Sequence, residues 1–337
     1  MKQSFCRLLT ALITCCALLL GYQSPSQADA GTLNILATTF PIYQITRNIT
    51  NGVDGVQVDL MIPASMGCPH DYALTPADMR KLAAADVLVI NGLGLEEFMG
   101  APVQKANPNL RLIDSSQGID QILAYSEQHD STSHTDHHHD HHHSHSHDHS
   151  HGHDHDHHHV HVHEGPNPHL FASPRMAALL ADNIARQLAE IHPEARDQYT
   201  AAAETYIKQM QELDEAFSAL GQRLRNNRIV TQHGVFDYLA RDMGLEIVAV
   251  VQAHAGQNPS ASEMLAIINT VEEKKAGAIF TEPQYPEAVG KMIAREAGIA
   301  TATLDPAATG PEQAPLDYYQ QVMRNNMVIL EQTLGTD

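Results

Sequence analysis

The chain has 337 residues, with 20 Lys plus Arg against 40 Asp plus Glu, a formal net charge of −20. That balance argues against nucleic acid as a partner, because phosphates would be repelled, and it suits cations. A hydrophobic content of 43% excludes a chain disordered throughout, and the length fits two domains.

Lys2 and Arg7 lead into the apolar run Leu8–Leu20, and Ala28-Asp29-Ala30 has the small-x-small pattern of a cleavage site. Residues 1–30 therefore read as a signal peptide, with a periplasmic mature chain starting at Gly31. The run is too short to span a bilayer comfortably. Leu12 to Cys15 is only a faint lipid-attachment box, since the apolar run continues past it. Cleavage removes Cys6, Cys15 and Cys16 and leaves Cys68, so no intramolecular disulfide is expected.

Strands are expected at Leu33–Ala37, Val56–Ile62 and Val87–Ile90, with a helix from Ile42 to Ile49 between the first two. Thr75-Pro76-Ala77-Asp78 starts a further helix, with an N-cap hydroxyl, an early proline and an acidic third position. This alternation predicts a parallel sheet flanked by helices. Pro174 to Glu190 reads as one amphipathic helix. Pro193 restarts a longer one of roughly 30 residues, about 45 Å long, with an apolar face of Tyr199, Tyr206, Met210, Leu213, Phe217, Leu220 and Leu224. Strands follow at Ile229–Gln232, Leu245–Val251, Ala278–Thr281 and Ala300–Leu304. The fold class is α/β: two lobes, each with a parallel sheet, joined by a long rigid helix. The expected boundaries are 31–190, 191–225 and 226–337.

The unusual quantity is 24 His. Nineteen lie between His129 and His163, interleaved with six Asp and almost nothing apolar. No core can form from that composition, so a disordered loop inserted in the first lobe is expected. Its runs His137, His138, His139, His141, His142, His143 and His157, His158, His159 are candidate auxiliary metal sites. A flexible tether of that length reaches roughly 30–35 Å and holds imidazole at about millimolar effective concentration.

The other five His are His70, His169, His192, His233 and His254. A single loop histidine is usually a hydrogen-bonded structural group. Their placement raises the metal reading for three of them. His233, Glu282 and Asp305 each follow a predicted parallel strand, where ligands of open α/β sheets bind. His70 lies in the loop after the second strand, and His169 precedes a helix start. Three imidazoles and up to two carboxylates suit Zn(II), whereas Mn(II) or Mg(II) would call for more oxygen. Cys68 and His254 are weaker candidates, Cys68 as a supporting or structural thiol. His192, at a helix break, reads as a surface residue.

Pro69-His70-Asp71-Tyr72 with Thr75-Pro76-Ala77-Asp78, Asn167-Pro168-His169-Leu170 with Ser173-Pro174, and His233-Gly234-Val235-Phe236-Asp237-Tyr238 occur in order. Phe280-Thr281-Glu282-Pro283-Gln284 and Leu304-Asp305-Pro306 follow. Together they resemble the metal-binding solute-binding proteins that serve ABC transporters, over nearly all of the mature chain. Histidine at the third position and the acidic His-rich loop are similar to the periplasmic zinc-uptake branch. The resemblance implies His70, His169 and His233 as zinc ligands, with Asp305 in the fourth position. Glu282 is a supporting residue or an alternative ligand. Pro69 stands where some relatives carry Glu, which closes that option. Phe171 and Ala172 also depart from the usual residues, an effect expected on packing.

The implied function is capture of Zn(II) and delivery to an ABC permease by a monomer that performs no covalent chemistry. One rival is a zinc hydrolase with Glu282 as base, disfavoured because no HExxH motif occurs. Others are a zinc buffer without a transporter, or the same fold serving manganese, nickel or copper.

Overall fold

The structure, a computed structural model, describes residues 31–67, 69, 72–124, 165–252 and 257–336. The signal segment, Cys68, His70, the His129–His163 window and His254 lie outside the described residues.

The first sheet contains β1 (Leu33–Ala37), β2 (Val56–Leu60), β3 (Val87–Ile90) and β4 (Arg111–Asp114). Helices α1 (Phe40–Thr50), α2 (Pro76–Ala84) and α3 (Gly100–Ala106) connect them. All pairings are parallel, in the order β2-β1-β3-β4. Two antiparallel neighbours then cross between the sheets: α4 (Pro174–Ile191) and the longer α5 (Arg196–Gly221). The second sheet holds β5 (Arg228–Thr231), β6 (Glu246–Val250), β7 (Ala278–Thr281) and β8 (Ala300–Thr303). Its connecting helices are α6 (Asp237–Met243), α7 (Ala261–Lys274) and α8 (Ala288–Ala297), and α9 (Tyr318–Leu334) closes the chain. Its order, β6-β5-β7-β8, is the order of the first sheet again. Among the described residues, no helix is long and apolar enough to cross a membrane.

The expected helix start at Thr75 forms as a capping box. The Asp78 amide donates to the Thr75 hydroxyl, and the Asp78 carboxylate accepts the Thr75 amide at 2.8 Å. Such a cap contributes about 1 kcal/mol. The long helix differs from expectation at its start. Pro193–Ala195 is a 3₁₀ turn, in which the Ala195 amide reaches the His192 carbonyl, so α5 itself has 26 residues. His192 is half-buried rather than on the surface. Its Nδ1 meets the Tyr199 hydroxyl at 2.8 Å and fastens the break between α4 and α5.

The predicted apolar face of α5 is buried from Tyr199 to Leu220, while Leu224 lies beyond the helix and bridges to Thr336. One contiguous buried cluster runs from Ile35 and Val87 of the first sheet, through α4 and α5, to Ile229, Ala278 and Phe280 of the second. A further contact ties the ends of the chain together. The segment before α9 folds back on α1, where Arg47 donates to the Ala314 carbonyl and Asn48 to the Leu316 carbonyl.

Candidate metal centre

In each sheet the chain leaves the first strand in one direction and returns to the third in the other. The crevice between the carboxyl ends of those two strands is where open α/β sheets bind ligands. In the second sheet the crevice lies between β5 and β7. His233 stands two residues past Thr231, and Glu282 follows Thr281 directly. The imidazole Nδ1 of His233 meets Glu282 Oε1 at 2.6 Å. The other oxygen, Oε2, accepts from Gln284 Nε2 at 2.6 Å. Tyr285 sets its ring edge-to-face with His233, with centroids 5.4 Å apart.

In the first sheet the same crevice, between β1 and β3, is filled by Glu96. Its Oε1 accepts from the Thr38 hydroxyl and the Asn91 amide, both at 2.7 Å, and Oε2 accepts from the Gly92 amide at 3.1 Å. Asn91 then donates its Nδ2 to the Pro168 carbonyl at 2.8 Å. That bond brings the turn carrying His169 to the carboxyl end of the first sheet.

Burial pushes the Glu96 carboxyl up to about 7, against the pull of the Thr38 hydroxyl and the Asn91 and Gly92 amides; the Asp114 charge adds to the rise. A carboxyl raised on folding binds its proton more tightly in the folded state. Its contribution to stability is therefore present at low pH and lost as pH rises through the folded value. The stability of wild type relative to Glu96→Gln is expected to fall by about 2–3 kcal/mol between about pH 5 and about pH 8. Urea unfolding of the metal-free proteins measures this, and a pH-independent difference would contradict it.

His169 and His233 meet between the sheets. Both are buried, and their ring centroids lie 5.1 Å apart at an interplanar angle of 84°. His169 Nδ1 faces Asn167 Oδ1 at 2.8 Å. The same oxygen accepts the His169 amide at 3.0 Å, so the ring nitrogen facing it must be a donor. Glu282 imposes the same tautomer on His233. In both rings Nε2 then carries the lone pair.

Asp305 stands two residues past β8, and its Oδ1 accepts the Ala307 amide at 2.8 Å. Burial raises its carboxyl above the ordinary value; the Ala307 amide opposes this, and the charge of Glu282 adds to it. A carboxyl whose proton affinity is raised by a neighbouring carboxylate marks a place that favours a cation. Among the described residues, no three His, Cys, Asp or Glu side chains cluster closely enough to hold a metal. The described part thus supplies two imidazoles with fixed tautomers and a pair of neighbouring carboxylates. Phe171 and Ala172, expected to affect packing, are both buried, and Phe171 sets its ring edge against His169.

Asn167, Glu96 and Tyr285 carried no separate expectation. Asn167 stood within a motif but had no assigned role. Its contacts to Gly234 and Asp237 lie 67 and 70 residues away in sequence, which no local pattern reveals.

Known proteins are similar to this chain in sequence and fold. The chain is 27% identical over 329 residues to the zinc-binding lipoprotein AdcA of Streptococcus pneumoniae (strain ATCC BAA-255 / R6), covering 96% of this chain. It spans only 60% of the length of that relative. It is also 27% identical over 305 residues to the high-affinity zinc uptake system protein ZnuA of Bacillus subtilis (strain 168), covering 90% of this chain and 88% of that one. A crystal structure of a ZnuA superposes with a TM-score of 0.69 at 26% identity, covering 90% of this chain and 99% of the other. The model of the family described as ZnuA, zinc-uptake complex component A periplasmic, matches residues 35–333. With its paired sheets and nearly its whole length matched, the chain belongs to this family of extracytoplasmic substrate-binding transport proteins.

Proposed function

We propose that the chain captures Zn(II) between its two sheets and hands it to an ABC-type importer. The observation that carries this reading is the buried His169–His233 pair, 5.1 Å between ring centroids, with each Nδ1 engaged by a supporting acceptor. Histidine ligands of zinc characteristically donate their second nitrogen to a carboxylate or carbonyl, which orients the ring and raises its basicity. In this reading His70 is the third imidazole and Asp305 the fourth ligand. Glu282 serves as the carboxylate behind His233. Borderline-soft zinc suits such a set better than manganese, which prefers oxygen. The names of AdcA and ZnuA among the relatives support zinc as the cargo.

Residues 1–30 direct secretion to the periplasm in this reading, and the mature monomer comprises lobes 31–190 and 226–337 linked by 191–225. The His129–His163 window gathers zinc as an auxiliary segment. Binding requires no covalent step, so the protein is not an enzyme.

The test is zinc titration, against a competing chelator, of the chain lacking residues 129–163. One tight equivalent is expected, from which manganese and nickel are excluded by zinc. The loaded protein should also stimulate ATP hydrolysis by a zinc importer in membranes. Absence of a tight equivalent rejects the reading. Tight binding without stimulation would make the protein a zinc buffer instead. If the full chain and the shortened one hold zinc in equal number, the auxiliary role of the window is wrong.

A further inference from the structure

Asn167 is fully buried and uses every polar atom of its carboxamide. Oδ1 accepts from the amide and the Nδ1 of His169, at 3.0 and 2.8 Å. Nδ2 donates to the Gly234 carbonyl at 2.7 Å and to Asp237 Oδ2 at 2.9 Å. Gly234 is the residue after His233. One planar group therefore holds the ring of one histidine at one end and the backbone beside the other histidine at its opposite end.

The Asn167 backbone is pinned as well. Its amide donates to the Leu123 carbonyl at 2.7 Å, and its carbonyl accepts the Tyr238 hydroxyl at 2.7 Å. These backbone bonds hold the residue in place but do not touch either imidazole.

We propose that Asn167 is the positioning residue that sets the separation and relative angle of His169 and His233, and through them the strength and geometry of metal binding. The proposal rests on the zinc reading above. The physical argument is rigidity. A carboxamide has one plane, so its four bonds fix the two loops together with no rotatable joint between acceptor and donor ends. An aspartate is nearly isosteric and keeps the acceptor for His169. It cannot donate to Gly234, and it places oxygen against the carbonyl and the Asp237 carboxylate. Asn167→Asp thus cuts the link between the histidines while leaving His169 supported.

Tyr238→Phe supplies the comparison, because it removes a bond to the Asn167 backbone and leaves the carboxamide intact. Both variants and wild type, as full chains, are titrated with zinc against a chelator. Each is also loaded with one equivalent of cobalt(II), whose visible absorption reports coordination geometry. Asn167→Asp is expected to weaken zinc about 10–100-fold, the usual range for supporting residues of a metal site, and to change the cobalt spectrum. Tyr238→Phe is expected to lower the unfolding midpoint of the metal-free protein while keeping zinc affinity within about threefold and the cobalt spectrum of wild type. Wild-type zinc affinity and spectrum in Asn167→Asp would overturn the proposal. Equal zinc loss in both variants at equal loss of stability would overturn it too, by showing a merely structural effect. Failure of wild type itself to bind zinc tightly would reject the zinc reading, a different result from either.

Discussion

His233→Ala is expected to abolish tight zinc binding in the chain lacking residues 129–163. Structural zinc sites of four ligands bind with roughly 10–16 kcal/mol at neutral pH, so one ligand accounts for about 3 kcal/mol, or at least about 100-fold in affinity. His233 is buried against Glu282, and removing the imidazole takes a 2.6 Å partner from a buried carboxylate. Glu282→Gln should cost less, about 10–100-fold, because it weakens the support of a ligand and leaves the ligand in place. The order of the two losses is the informative quantity, read by chelator competition. If Glu282→Gln costs as much as His233→Ala, Glu282 binds the metal itself and the division of roles drawn here is wrong.

Gly221→Ala is expected to produce the largest loss of stability. Gly221 closes α5 against the end of α6. A Cβ there would collide with the Met243 carbonyl oxygen and stand 2.9 Å from its carbon. Both partners are backbone, so neither can swing aside as a flexible side chain would. Overpacking of this kind costs about 3 kcal/mol, a fall of roughly 5–10 °C in unfolding temperature for a chain of this size. Calorimetry of the metal-free protein measures it. An unfolding temperature within about 2 °C of wild type would show that α5 and α6 can separate without penalty.

Much of the architecture was legible because buried parallel strands announce themselves as short apolar runs. Leu33–Ala37, Val87–Ile90 and Ala278–Thr281 have the expected bounds. Strand β4 was not legible. Arg111 and Asp114 bracket only two apolar residues, and as an edge strand it leaves Leu112 58% exposed. The long helical segment starts at Pro193 as expected, and only its first turn was not legible, because proline favours a helical first turn without choosing between α and 3₁₀ geometry. His233, Glu282 and Asp305 were singled out as candidates because each follows a recognisable strand. Asn167 and Glu96 were not, because their roles consist of hydrogen bonds to residues far away in the chain. Glu96, for instance, reaches Thr38 across 58 positions. An asparagine that fixes two imidazoles has the same local sequence as one that caps a turn.

The core that runs unbroken through both sheets has a practical consequence for anyone building a zinc reporter from this scaffold. Fluorophores placed on opposite lobes to report their distance would give little signal, since a shared interior resists hinge opening. A dye whose brightness depends on local polarity, attached beside Tyr285, would sit next to the His233 ring, where cargo bound at the proposed site would change its surroundings. The useful optical response should thus come from the lining of the cleft, with the frame behaving as a rigid mount.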